Sequence, residues 1–331
     1  MATAADNSMP ALDGLRSLVL ENRLLRAVVL PELGGRIWQI TYKPLSADLL
    51  WHSPAAQPVP QSPGASYDDV WCGGWDELYP NDEAATLDGM TLPDHGELWT
   101  GNWDAVLLDS RSAWLAFKTP ITQFSVEKNV RLCGERAQLE VTYRLTNESA
   151  RPVPFLFKLH PAFAVSAAHR LDFAPMTVEP EPDCLGSLEG APAHFAWPVA
   201  PLPNGPMDLR HVPDVSQRAL HFFYGSGFRD GWCGVTNTET QLAAALRFDS
   251  AVFSSCWLFA THGGWRDLNV AVMEPATGYP FRMQTMIDRG RARWLKPGER
   301  LETSVLLSVQ EGLTSVGGVD EDGRIYPNEE A

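Results

Sequence analysis

The chain has 331 residues, and its 41 Asp and Glu outnumber its 26 Lys and Arg to give a formal charge of −15 at pH 7. So acidic a surface argues against binding to nucleic acid or to an anionic membrane. The hydrophobic share of 44% is ample for a buried core and excludes a disordered chain. No uninterrupted apolar stretch approaches the ~18 residues needed to span a bilayer.

The five cysteines stand far apart and form no Cys-x-x-Cys pair, a scatter typical of reduced, mostly buried thiols and unsuited to a zinc site. The start, Met-Ala-Thr-Ala-Ala-Asp, lacks the positive charge and apolar core of a signal peptide. We therefore expect a cytoplasmic protein with no metal and no other cofactor. Its oligomeric state is left open, a homodimer being one option.

Almost every patterned segment has the character of a β-strand. Apolar and polar side chains alternate from Leu139 to Thr146, which indicates a strand with one buried and one solvated face. The 26 Gly and 26 Pro suit many short strands joined by turns, and neither a helical stretch nor a repeat is visible. We predict an all-β fold, a single large and mostly antiparallel sandwich. Further predicted strands are Leu24–Leu30, Arg36–Tyr42, Trp114–Lys118, Val153–His160, Phe253–Ala260, Leu268–Glu274 and Leu301–Val309, with a tight turn at Lys296–Glu299.

Two segments are predicted to be long loops: residues 53–67, rich in proline, and residues 175–213, rich in Pro, Gly and Ala. Loops of this length in a compact domain are usually functional or cover a site. We predict one domain over residues 1–331, with its core at about residues 16–312 and a peripheral tail over residues 313–331.

Two glycine-containing segments near the start carry candidate binding groups. Leu30–Ile37 places a Gly-Gly turn between two predicted strands, which indicates a hairpin or a crossover, and Arg36 there either pairs with an acid or faces a ligand. Val70–Pro80 combines paired glycines with two tryptophans, a tyrosine and the acids Asp76 and Glu77. It would form either a wall suited to polyols or a packed turn with buried tryptophan.

Two histidines follow. In Leu92–Trp99 a bend holds His95 near Trp99, a combination that can bind a sugar by stacking and by a hydroxyl contact, although an ordinary loop histidine is the alternative. In the predicted strand ending at His160, alternation puts this histidine on the same face as Lys158. His160 is a candidate general acid because histidine titrates near neutrality, and a hydrogen-bonded structural histidine is the alternative.

Glu274 ends an apolar run, where an ionised side chain is normally excluded. On a strand from Leu268 it shares a face with Val270 and Val272, and the loss of hydration there suits a carboxylate to act as a base. The alternative is a solvated glutamate at a strand end. A hairpin with the preceding strand would put the loop that holds His262 at the end opposite Glu274, so His262 is predicted to be a loop residue.

Five of these pieces, in this order, resemble the aldose 1-epimerase (galactose mutarotase-like) superfamily. They are Leu-Pro-Glu-Leu-Gly-Gly-Arg-Ile (30–37), Gly-Gly-Trp-Asp-Glu-Leu-Tyr-Pro (73–80), His-Gly-Glu-Leu-Trp (95–99), Leu-His-Pro-Ala-Phe (159–163) and Glu-Pro-Ala-Thr-Gly-Tyr-Pro (274–280), and Leu-Lys-Pro-Gly-Glu (295–299) is similar to the family's closing turn. The resemblance implies a β-supersandwich with a sugar on the concave face of one sheet. It also implies that His160 is the general acid, that Glu274 is the general base and that His95 contacts sugar hydroxyls.

The resemblance further places a substrate-binding aspartate near Asp214, although the surrounding residues do not match. Asp76, Glu77, Trp99 and Arg36 complete the expected set of binding residues. Phosphosugar epimerases of the superfamily carry an arginine before the Gly-Gly pair, where this chain has Cys72. A phosphate favours bidentate arginine contacts, so a phosphosugar is disfavoured.

The sequence therefore predicts a mutarotase that interconverts the α and β anomers of an unphosphorylated monosaccharide. The sugar is either neutral or acidic, the latter if Arg36, Arg229 or Arg266 reaches the site. Two alternatives stay open: a non-catalytic carbohydrate-binding protein on the same sandwich, and a lyase-like or C2-epimerising enzyme acting on an oxidised sugar.

Overall fold

The structure is a computed structural model, and it describes residues 14–329. The first half of the chain contains thirteen strands: β1 Leu18–Glu21, β2 Leu25–Leu30, β3 Arg36–Tyr42, β4 Ala47–Asp48, β5 Trp75–Leu78, β6 Ala85–Leu87, β7 Met90–Leu92, β8 Asp104–Asp109, β9 Ser112–Lys118, β10 Phe124–Leu132, β11 Gln138–Asn147, β12 Val153–Phe155 and β13 Lys158–Phe163. The second half contains β14 His169–Phe173, β15 Thr177–Pro180, β16 Phe195–Ala196, β17 Val199–Leu202, β18 Gly205–Asp208, β19 Ala219–Ser226, β20 Gly231–Asn237, β21 Leu242–Phe248, β22 Ser255–His262, β23 Asn269–Ala276, β24 Arg293–Leu295, β25 Arg300–Glu311, β26 Gly318–Val319 and β27 Ile325–Tyr326.

Helices are few and short within the described residues. The α-helices are α1 Tyr67–Val70 and α2 Met283–Asp288, and single 3-10 turns occupy Lys43–Leu45, Gly186–Leu188 and Val215–Gln217. Neither α-helix has the length or the apolar character that a membrane crossing would require.

Two antiparallel sheets dominate the structure and confirm the predicted all-β sandwich. The larger sheet has eleven strands in the order β1-β2-β3-β5-β13-β23-β22-β19-β15-β16, with β4 paired to β3. The smaller sheet has eight strands in the order β14-β20-β21-β25-β11-β10-β9-β8. Strands far apart in the sequence, such as β5, β13 and β23, are therefore neighbours at the middle of the larger sheet.

The main core lies between the two sheets. It includes Leu159 and Met273 from the larger sheet and Val130 and Val141 from the smaller one, all fully buried. Because successive side chains of a strand point to opposite faces, the neighbours of Leu159 and Met273 in sequence must project from the outer face of the larger sheet. Lys158, His160 and Glu274 are among those neighbours.

Most predicted strands form within a few residues of their expected bounds, and the predicted turn closes with a hydrogen bond from the Glu299 N–H to the Lys296 carbonyl. One prediction was wrong in detail, because the strand expected over Val153–His160 is divided. β12 pairs with β24 in a small separate sheet, whereas β13 enters the larger sheet after two intervening residues. The chain changes partners at Leu156, whose N–H donates to the carbonyl of Pro80.

The predicted loop over residues 175–213 was also wrong, because it contains β15, β16, β17 and β18. β15 continues the edge of the larger sheet by pairing with β19, and β16 pairs with β15. Prolines such as Pro180 and Pro201 lie within these short strands. β16 pairs only with Thr177 and Val178, so Pro180 has a neighbouring strand on one side alone, and Pro201 lies in a two-stranded sheet. Proline is accepted at such positions because its missing N–H breaks no ladder hydrogen bond there.

The tail after Gln310 packs on the outer face of the smaller sheet. Val316, Val319 and Ile325 are buried against Trp232 and Ala245 there. Their burial fixes the tail onto the sheet, with β26 and β27 as its strand pair.

His262 was predicted to be a loop residue, but it ends β22 and is 1% exposed. Its ring lies 6.3 Å from that of His221, a neighbour on β19, and its Nδ1 contacts Asn269 at 2.9 Å. Burial, together with His262, lowers the pKa of His221 to about 4. The two rings therefore favour the neutral form inside the sandwich.

Because His221 and His262 are buried, we expect the folded protein to lose stability in mild acid. Between pH 6.5 and 4 the unfolded chain binds a proton at His221 that the folded chain does not, so the free energy of unfolding falls as the pH falls. We expect about 2 kcal/mol of the loss between pH 7.5 and 5 to come from His221, and a His221→Gln variant should lose that much less over this range in urea titrations. His194→Gln, at a 59% exposed side chain, is the control and should follow the wild type. Equal slopes for all three proteins would contradict the assignment.

Candidate functional site

A cleft of about 440 Å³ opens on the outer face of the larger sheet, over β13 and β23. Its walls combine aromatic rings with many charged groups. The aromatic residues are Tyr67, Trp71, Phe222, Phe259, Trp265 and Phe281; the charged or titratable ones are Asp68, Asp82, Glu83, Asp94, His95, Lys158, His160, Asp183, Cys184, Glu274 and Arg282. Rings that stack on apolar faces and polar groups that bind hydroxyls suit a small polyol.

His160 and Glu274 lie at the same level of the larger sheet. Lys158 is opposite Ala276 and Ala162 is opposite Val272 in the β13–β23 pairing. His160 therefore lies level with Glu274 on neighbouring strands, and such cross-strand pairs have Cβ atoms about 5 Å apart on the same face. The structure thus brings the predicted imidazole and carboxylate together in one cleft.

His160 is held through one ring nitrogen. Its Nδ1 lies 3.3 Å from Oδ1 of Asp76, its neighbour on β5, and 3.2 Å from the hydroxyl of Tyr67. Tyr67 and Trp71 also pack edge-on against the imidazole, with ring centroids 5.6 and 5.4 Å away. Since the polar contacts use Nδ1, Nε2 is the nitrogen left for a ligand in the cleft.

Asp76 was expected to bind substrate, but it does not line the cleft and is fully buried behind His160. Arg36, also expected at the site, is buried with it and donates to Oδ2 of Asp76 at 2.6 Å, while Tyr67 donates to the same oxygen at 2.9 Å. Burial alone would raise the pKa of Asp76, but Arg36 and the hydrogen bonds from His160 and Tyr67 hold it well below its usual range. An ionised Asp76 can orient the imidazole and stabilise its protonated form.

Glu274 is 1% exposed and is paired with a lysine. The Nζ atom of Lys158 lies 2.5 Å from Oε2 of Glu274 and 2.5 Å from Oδ2 of Asp82. Burial would lower the pKa of Lys158, but Asp82 and Glu274 raise it above its ordinary value. The cleft floor therefore holds two carboxylates that share one ammonium group.

His95 reaches the cleft from the bend that the sequence predicted. It adopts a positive φ of 56°, and the next residue, Gly96, has a φ of 77°. A Cβ on Gly96 would lie 2.0 Å from the carbonyl oxygen of Tyr79, so the bend requires glycine there. The imidazole of His95 stacks on Tyr67 with ring centroids 4.1 Å apart.

Acids surround His95 on two sides. Its Nδ1 lies 2.9 Å from Oδ1 of Asp94, and its Nε2 lies 3.9 Å from Oδ1 of Asp82. Burial would lower the pKa of His95, but Asp82 and Asp94 raise it above its ordinary value. His95 can therefore offer a polarised N–H to a bound hydroxyl.

Three other expected binding residues lie away from the cleft. Glu77 follows Asp76 on β5, so it points to the opposite face, where Lys128 and the Tyr143 hydroxyl bind it in the core. Trp99 is 4% exposed and donates its indole N–H to the Asp94 carbonyl, so it supports the bend from behind.

Asp214, the third of these residues, is exposed at the start of the 3-10 turn Val215–Gln217. It accepts hydrogen bonds there from the N–H and the hydroxyl of Ser216. That local cap accounts for the Val-Pro-Asp-Val segment without a ligand.

Asp82 and Tyr67 line the cleft although the sequence patterns did not point to them. Asp82 follows the Gly-Gly-Trp-Asp-Glu-Leu-Tyr-Pro piece by two residues, and Tyr67 ends the proline-rich loop. Asp183 and Cys184 come from the segment after β15, so part of residues 175–213 does line the cleft. Trp265 lines the cleft from the β22–β23 turn, and its ring packs edge-on against Phe259.

The cleft brings an imidazole and a carboxylate together on one face of the sheet. His160 and Glu274 can each exchange a proton with one small molecule above the sheet, and His95 and the aromatic rings can orient it. A bound ring that carries two oxygens on one carbon could meet both groups at once.

No family model matches the sequence. Solved structures with a similar fold include a Synechocystis protein, with a TM-score of 0.68 at 14% identity, covering 92% of this chain and 99% of that one. A galactose mutarotase related enzyme from Lactobacillus acidophilus gives a TM-score of 0.65 at 13% identity, covering 89% and 98%. A galactose mutarotase-like protein from Clostridium acetobutylicum gives 0.64 at 14% identity, covering 92% and 97%. At these identities the likeness establishes the fold.

Proposed function

We propose that this chain, which has the galactose mutarotase-like fold, is a mutarotase that interconverts the α and β anomers of a free, unphosphorylated monosaccharide. The observation that carries the proposal is the placement of His160 level with Glu274 on adjacent strands at the floor of one cleft. An acid and a base so close together suit a substrate whose two reacting oxygens share a carbon atom.

In this mechanism Glu274 removes the proton from the anomeric hydroxyl while His160, protonated at Nε2, gives a proton to the ring oxygen. The bond between C1 and the ring oxygen breaks, and an open-chain aldehyde forms. The C1–C2 bond then rotates by half a turn, and the ring oxygen attacks the other face of the carbonyl carbon. Proton return from Glu274 to the anomeric oxygen and from the ring oxygen to His160 completes the cycle without consuming either group.

The charges around the cleft support an uncharged sugar as the substrate. Among the described residues, the lysine and the arginine that line it are Lys158 and Arg282, and both are paired with carboxylates. The two histidines in the lining, His95 and His160, also lie beside carboxylates, those of Asp94 and Asp76. Of the three arginines that would favour an acidic sugar, Arg36 is buried with Asp76, Arg266 pairs with Asp69 outside the cleft, and Arg229 does not line it. A phosphate, sulfonate or uronate would therefore meet several acids without a free cation to bind it.

The proposal is tested by following the approach to anomeric equilibrium for freshly dissolved pure anomers of several hexoses and pentoses, by polarimetry or by exchange NMR. We expect at least one neutral sugar to equilibrate faster in proportion to enzyme concentration. Uronates and hexose 6-phosphates should respond weakly. Binding of a sugar in calorimetry without faster anomer exchange, across the whole panel, would contradict the proposal and select a non-catalytic carbohydrate-binding protein.

A further inference from the structure

The buried lysine of the cleft floor has no part in the proton transfers described above, and it contacts the carboxylate assigned as the base. We propose that Lys158 is a positioning residue, which keeps Glu274 ionised by binding Oε2 and so presents Oε1 to the anomeric hydroxyl. This inference rests on the proposed function, because it assigns a role within the same reaction.

The ammonium group is held on three sides. It contacts Oε2 of Glu274 and Oδ2 of Asp82, each at 2.5 Å, and it lies 4.3 Å from the centre of the Trp257 ring. Trp257 is opposite Glu274 in the β22–β23 pairing, and Lys158 is two residues before His160 on β13. The lysine therefore fills the corner beside the acid–base pair, where a long flexible side chain is fixed by its neighbours.

Burial makes the lysine necessary for a base at this position. Glu274 is 1% exposed, and loss of hydration disfavours the charged form of a carboxylate unless a cation lies beside it. A lysine beside it favours the ionised form and, by engaging one oxygen, fixes the direction of the other. The effect that Lys158 has on Glu274 is therefore both electrostatic and geometric.

Asp82 explains how the lysine can tolerate the reaction. When Glu274 receives the substrate proton it becomes neutral, and an isolated buried ammonium would then be left without a counter-ion. Asp82 keeps Lys158 paired during that step, and Lys158 lowers the pKa of Asp82 despite burial of the carboxyl. Other charged or titratable groups beside this cluster are His160 and His95 on one side and Arg282, Glu83 and Asp183 at the mouth of the cleft. The Cys256 thiol lies in the core, on the opposite face of β22.

The test is the pH dependence of kcat/KM for mutarotation in the wild type, in Lys158→Met and Lys158→Arg, and in Asp82→Asn. Lys158→Met removes the cation and should move the acidic limb of the profile to higher pH by about one unit. It should also lower kcat by roughly tenfold to a hundredfold with little change in KM. Asp82→Asn removes the carboxylate that competes with Glu274 for Lys158. It should move the acidic limb to lower pH, because Lys158 then pairs with Glu274 alone. Lys158→Arg should retain the wild-type limb.

The opposite directions of these shifts separate the proposal from a merely structural role, which would reduce the amount of active protein without moving either limb. Lys43→Met, at a surface pair with Glu21, is the control and should leave the profile unchanged. If Lys158→Met does not fold, as judged by circular dichroism, Asp82→Asn decides: a limb at lower pH supports the proposal and an unmoved limb overturns it. An active wild type with unmoved limbs in both variants overturns this inference alone, whereas an inactive wild type overturns it together with the proposed function.

Discussion

Replacing Glu274 by glutamine is expected to lower kcat/KM for mutarotation by roughly 100- to 10,000-fold, which is on the order of 3–5 kcal/mol of transition-state stabilisation. The amide has the size of the carboxylate but cannot take the proton from the anomeric hydroxyl. The change should leave the fold intact, because Lys158 keeps Asp82 as its partner at 2.5 Å. Stopped-flow polarimetry at the wild-type optimum measures the loss, and calorimetry should show that the sugar still binds.

His160→Asn is the companion variant, since it removes the acid that protonates the ring oxygen, and it should lose a similar factor. Glu127→Gln serves as the matched control: this glutamate pairs with Arg144 on the outer face of the smaller sheet and should retain full activity. Wild-type rates in the Glu274→Gln protein would show that another group accepts the proton, and the assignment of the base would then be abandoned.

Alternation along strands was enough to predict which side chains share a face with His160 and Glu274. It correctly separates Lys158 and His160 from Leu159, which is in the core between the sheets. The alternation alone does not say which strands are neighbours, because β13 and β23 are more than a hundred residues apart in the chain. The resemblance to the superfamily implied only that His160 and Glu274 act on one sugar, and the register of β13 and β23 places the two residues level with each other.

The same rule could have removed one wrong expectation. Asp76 and Glu77 are consecutive in a strand, so they cannot both face a ligand on one side of a sheet. The structure places Asp76 behind His160 and Glu77 between the sheets, where it binds Lys128. A sequence rich in acids near paired glycines suggested a binding wall, but the two carboxylates serve orientation and packing instead.

The sequence patterns could not predict contacts between residues that are far apart in the chain. Asp82 meets Lys158 only because a loop after β5 folds over β13, and no periodicity records that approach. Asp214 was expected at the site by its order in the chain, yet its neighbour Ser216 already satisfies it. Loop residues such as these depend on where the chain crosses the sheet, which the strand pattern does not specify.

Replacing Lys128 by methionine is expected to destabilise the folded protein by roughly 3–5 kcal/mol, because it leaves a buried carboxylate without its cation. Lys128 is fully buried and donates to both oxygens of Glu77, at 2.6 and 2.8 Å, and to the carbonyl of Gly35 at 3.1 Å. Burial raises the pKa of Glu77 even with the lysine present. Without Lys128, Glu77 should be protonated in the folded state. The destabilisation should therefore shrink as the pH falls toward the range in which Glu77 of the unfolded chain is also protonated.

The pair links the sheet that carries the site to the sheet that supports it, since Glu77 lies on β5 beside Asp76 and Lys128 lies on β10. Urea denaturation at pH 7 measures the loss, and Lys118→Met is the matched control because its pair with Glu148 is at the surface, with side chains 66% and 41% exposed. That variant should change the free energy of unfolding by less than about 1 kcal/mol. Adding Glu77→Gln to Lys128→Met should recover part of the loss, since the double variant buries no unpaired charge. If the double variant were less stable than Lys128→Met alone, the explanation by an unpaired carboxylate would be wrong.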